Sequence, residues 1–66
     1  MEFKQLVVLA RARMDLSQEG LAKALNVSFA TVNRWEQGKT KPTAKTKIMF
    51  FEFCKKNNVL RPEEVQ

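Results

Sequence analysis

The stretch LSQEGLAKALNVSFATVNRWEQG, Leu16 to Gly38, decides the fold. It contains two segments of helical periodicity, each with its own start signal. Ser17 precedes a run in which Leu21, Ala22 and Leu25 share one helical face, and its hydroxyl suits the free N–H groups of a helix start. Ser28 precedes a second run, Phe29 to about Gln37, whose Val32 and Trp35 face inward and which Gly38 should stop. Between the runs the chain must turn sharply at Asn26. Asparagine tolerates the left-handed backbone better than other non-glycine residues, so it suits that place. Ala22 is small where the later helix must cross. Val32 fills the angle between the helices, and Leu21, Leu25, Val27 and Trp35 take the remaining inward positions.

Working outward, Phe3, Leu6, Val7, Ala10 and Met14 recur at helical spacing and predict a first helix over about Glu2 to Arg13, ended by Asp15. Lys39 to Pro42 read as a basic loop. Thr43 can cap a fourth helix, Ala44 to about Lys56, with Ala44, Ile48, Phe51 and Cys54 as its apolar stripe and Asn57–Asn58 as its end. Phe50, Phe51 and Phe53 cannot all face one side, and any left exposed would mark an interface. No segment alternates with period two long enough to be a strand. The fold class is therefore all-α, with the second and third helices forming a helix-turn-helix.

Composition narrows the function. At 66 residues the chain is one small domain whose core supplies only about 3–5 kcal/mol of net stability. Its single cysteine, Cys54, has no partner for a disulfide, and with no histidine in the chain there is no zinc site and no activated thiol. Two glycines, Gly20 and Gly38, cannot build a phosphate-cradling loop. These absences argue against an enzyme, and no catalytic residue, metal, cofactor or small-molecule ligand is expected. The apolar stretches are too short to cross a membrane and no signal peptide is apparent, so a cytoplasmic, nucleoid-associated protein is expected. The formal charge is +5, and Lys39, Lys41, Lys45 and Lys47 fall in one stretch, with no acidic residue between Glu36 and Glu52. Clustered lysine is the electrostatic footprint of a nucleic-acid binder, although a solvated lysine face gives the same composition.

The run from Leu16 to Ala22, then Val27-Ser28, then Thr31 to Lys39 and Pro42 resembles the lambda-repressor-like, Cro/CI-type (XRE-type) helix-turn-helix family. That resemblance implies a bundle of four to five helices, with the recognition helix, residues 28–37, entering the major groove of double-stranded DNA. It implies bacterial or phage transcription regulation, and a partly buried Arg11–Glu36 ion pair as a structural element beside Ala22, Asn26, Val32 and Trp35. There are three departures. Asn26 stands where the family usually has glycine. Gly20 lies inside the second helix, at a cost of about 1 kcal/mol relative to alanine. The chain ends in Arg61-Pro62-Glu63-Glu64-Val65-Gln66, where many members have a fifth helix that makes a dimer contact. Homodimerisation is therefore left open.

The candidate base-contacting residues are Ser28, Phe29, Ala30, Asn33 and Arg34. Arginine bonds guanine O6 and N7 bidentately, and asparagine bonds adenine. Phe29, without a donor, either meets a thymine methyl or folds back onto the protein. The candidate phosphate-contacting residues are Gln18, at a helix N-terminus, and Lys39, Lys41 and Thr43. Lys45 and Lys47 raise the local potential. Residues 1–60 are expected to form the DNA-binding domain and 61–66 a tail or the start of a linker. Alternatives are a module of a larger protein, such as a restriction–modification enzyme or antitoxin, and a protein-interaction helical domain.

Overall fold

Three of the helix starts use the same device. In a computed structural model, which describes residues 1–65, the Ser17, Ser28 and Thr43 hydroxyls accept from the N–H groups of Gly20, Thr31 and Thr46. They open α2 (Gln18–Leu25), α3 (Phe29–Gln37) and α4 (Ala44–Asn57). The first helix, α1 (Phe3–Arg13), starts instead from Glu2, whose N–H donates to Gln5 Oε1 at 2.8 Å. A last turn, α5 (Pro62–Val65), completes an all-α domain with no strand among the described residues.

The helix ends share a device as well. Asp15, Asn26 and Asn58 are the non-glycine residues with left-handed backbone, at φ 56, 59 and 55°. After each of them the chain folds back. The N–H of Leu16, Val27 and Val59 donates to the carbonyl of Arg11, Ala22 and Cys54, at 3.0, 2.9 and 3.1 Å. Asn26 thus does the work of the family's usual glycine, because its short polar side chain is among the few that accept this conformation. At the end of α3 the left-handed residue is a glycine. Gly38 has φ 71°, and a Cβ there would come within 2.9 Å of Lys4 Cδ.

The core joins four helices: Leu6, Val7 and Ala10 of α1, Leu21, Ala22 and Leu25 of α2, Val32 and Trp35 of α3, and Phe50 and Cys54 of α4. Its widest part is aromatic. Phe50 meets Phe3 edge-to-face at 5.2 Å and Trp35 at 6.4 Å between ring centroids. Gly20 is explained in part by its surroundings, since an added Cβ would press Leu16 Cδ2 and the capping Ser17 Oγ, both at 3.3 Å.

One expectation needs correction. The apolar stripe of α4 is not Ala44, Ile48, Phe51 and Cys54. Phe50 and Cys54 are buried, Phe51 is half-buried, Ala44 is exposed, and Ile48 is 60% exposed. Ile48 to Phe51 form an unbroken apolar run, so periodicity alone does not choose the register. The aromatic slot between Phe3 and Trp35 chooses it, by admitting Phe50. Residues 61–65 are tied to α1 through Glu64. Arg13 Nη1 and Nη2 hold the Glu64 carboxylate at 2.7 and 2.8 Å, and Nη1 also donates to the Val59 carbonyl. These bonds and the Arg61 N–H pull the Glu64 carboxyl down to about 2. Gln66, the last residue of the expected tail, lies outside the described residues.

Candidate nucleic-acid interface

Helix periodicity divides α3 into two faces. Val32 and Trp35 are buried, while Phe29, Ala30, Arg34 and Gln37 are exposed. Positions 30, 33, 34 and 37 form one outward stripe. Phe29 stays 53% exposed at the first turn and is not folded into the core. Arg34 makes no hydrogen bond or ion pair with the described residues, so its five donors are available to a ligand. Lys39 and Lys41 are exposed in the loop that follows, and Lys45 and Lys47 are exposed on the first turns of α4.

Several side chains assigned to DNA are already engaged. The hydroxyls of Ser28 and Thr43 cap their own helices, and each also bonds the hydroxyl of the residue it caps, Thr31 or Thr46. Gln18, at the first position of α2, is turned inward. Its Nε2 donates to Glu36 Oε1 at 2.9 Å, and its Oε1 accepts from Asn33 Nδ2 at 3.2 Å. Asn33 Oδ1 in turn accepts from Gln37 Nε2 at 2.8 Å. Sequence reading singled out neither this amide chain nor Gln37. The i, i+4 spacing of Asn33 and Gln37 was the available signal.

The chain of amides starts from an ion pair. Arg11 Nε and Nη2 reach the two Glu36 oxygens at 2.7 and 3.0 Å, and Nη1 donates to the Leu16 carbonyl. The pair ties α1 and the turn before α2 to α3. Burial pushes the Glu36 carboxyl up, but the bonds from Arg11 and Gln18 together outweigh it and leave the group below its ordinary value. The Glu36 side chain is 8% exposed and that of Arg11 is 26% exposed, so the pair is shielded on one side only.

A helix-turn-helix family model matches residues 9–46, more than half of the chain. The chain belongs to the lambda-repressor-like helix-turn-helix family. The match runs from the second half of α1 into the first turn of α4, and so takes in the ion pair, both motif helices and the lysine loop. That family is one of DNA-binding helix-turn-helix regulators. Comparison with curated proteins and with solved structures found no match.

The remaining chemistry is sparse. Burial pushes the Cys54 thiol up to about 11, which leaves little thiolate for nucleophilic attack near neutral pH. No helix among the described residues is long and apolar enough to cross a membrane.

Proposed function

We propose that this chain binds double-stranded DNA sequence-specifically and regulates transcription in a bacterial or phage setting, in the cytoplasm at the nucleoid. The observation that carries the reading is the outward stripe of α3, with Arg34 uncommitted and lysines directly after it. Residues 1–60 supply the reading surface. Arg34 and Asn33 read base edges, exposed Phe29 offers an apolar contact for a thymine methyl, and Ala30 lets the helix approach closely. Ser28 acts through the N-terminus of the helix it caps. Lys39 and Lys41 bind phosphates. The N-termini of α2 and α4, at Gln18 and Thr43, add backbone donors.

The test is selection of bound duplexes from random DNA at stated salt. Recovery of a defined site supports the reading, and no enrichment overturns it. Arg34→Ala should then lose about 1–3 kcal/mol of discrimination at one base position. Equal weakening on all sequences would make Arg34 a phosphate contact. Lys41→Ala should lower the slope of log affinity against log salt by about one, and an unchanged slope removes Lys41 from the interface.

One observation favours pairing of two copies. Ile48, 60% exposed, lies beside half-buried Phe51 on the outer face of α4, with Lys47, Glu52 and Lys55 in the same patch. A two-fold interface there would bury the apolar residues and set unlike charges opposite each other. A palindromic selected site and a two-chain mass in solution are the expected results.

A further inference from the structure

The Glu36 carboxylate fixes the direction of every amide in the chain Glu36–Gln18–Asn33–Gln37. An ionised carboxylate only accepts hydrogen bonds, so Gln18 must turn its Nε2 toward Glu36. Its Oε1 is then what Asn33 meets, and Asn33 must offer Nδ2. Its Oδ1 is left for Gln37, which must donate Nε2. Rotating any one amide by 180° would set donor against donor or acceptor against acceptor. The charged end is held by two bonds from Arg11, so the polarity is anchored in the protein rather than in a ligand.

This arrangement has a consequence for base reading. A carboxamide has two N–H donors and two acceptor lone pairs. Asn33 gives one of each to its neighbours and keeps one of each, on an amide that cannot rotate without breaking two bonds. One donor beside one acceptor is the complement of adenine N7 and N6–H in the major groove, whereas guanine offers two acceptors there. We propose that Gln37 is a specificity-determining positioning residue, which together with Gln18 holds the Asn33 amide in the one orientation that selects adenine. The proposal rests on the DNA-reading assignment of α3 and deepens it. Gln37 need not touch DNA to act, because it works by preventing the Asn33 amide from rotating and so exchanging the places of its free donor and its free acceptor.

The experiment compares the full chain with Asn33→Ala and Gln37→Met in selection from random duplex DNA. Methionine keeps the length of glutamine but has no N–H to donate. The unmodified chain should select adenine at one position that becomes indifferent in Asn33→Ala. Gln37→Met should lower the adenine preference at that position roughly five- to tenfold. In the DNA-free protein, the Asn33 side-chain amide resonances should shift and its protons exchange faster in Gln37→Met, with the rest of the spectrum unchanged. Retention of the full adenine preference in Gln37→Met, an Asn33-dependent position that is not adenine, or unmoved Asn33 resonances would each overturn the positioning role alone. Absence of any selected site for the unmodified chain would instead overturn the DNA-reading assignment, and this inference with it.

Discussion

Phe50→Ala is expected to destabilise the domain by about 3–5 kcal/mol. That equals the whole net stability expected of so small a core, so roughly half of the molecules should be unfolded at room temperature. Phe50 is wholly buried and is the ring on which the aromatic cluster converges. It meets Phe3 at 5.2 Å, Phe51 at 5.4 Å and Trp35 at 6.4 Å. Alanine there would leave a void between α1, α3 and α4 that neighbouring rings cannot close without leaving their own contacts. Ile48→Ala, two residues away on the outer face, should cost less than about 0.5 kcal/mol at concentrations low enough to keep the chain monomeric. Urea melts followed by circular dichroism would compare the two. A loss at Ile48 as large as that at Phe50 would return α4 to the register that periodicity alone suggests.

That pair of residues also marks where sequence reading stopped. Helix starts and ends were legible because each is a local matter: a hydroxyl at Ser17, Ser28 or Thr43, or a short polar side chain at Asp15, Asn26 or Asn58. The register of α2 and α3 was legible because polar residues interrupt their apolar faces at every turn. In α4 the run Ile48 to Phe51 has no such interruption, and a slot made by residues far away in sequence decided which ring went in. The candidate interface divides in the same way. Exposure of Phe29, Ala30 and Arg34 follows from helix phase, which local sequence carries. The engagement of Gln18 by Glu36 and Asn33 depends on how α2 lies against α3, and no spacing within either helix encodes it.

Arg11→Ala should cost about 1.5–3 kcal/mol, the range for hydrogen bonds to a charged group. The 3–5 kcal/mol of a deeply buried pair is too much here, because the Arg11 side chain is 26% exposed and Gln18 remains as a partner for Glu36. The loss should depend on pH, with a sign that the Glu36 carboxyl sets. Despite burial, which raises it, bonds from Arg11 and Gln18 hold its folded-state value below the ordinary one. A carboxyl depressed in the folded state contributes stability that is fully present above its unfolded value, near 4.5, and is lost as pH falls through the folded value. The stability gap between the unmodified chain and Arg11→Ala should therefore be widest near neutral pH and close in acid. Taking the difference cancels carboxyls common to both proteins, including Glu64, which titrates near 2. Melting curves from about pH 7 to about pH 3 would read it. A gap of constant size across that range would mean that Arg11 acts through the packing of its aliphatic stem rather than through its charge.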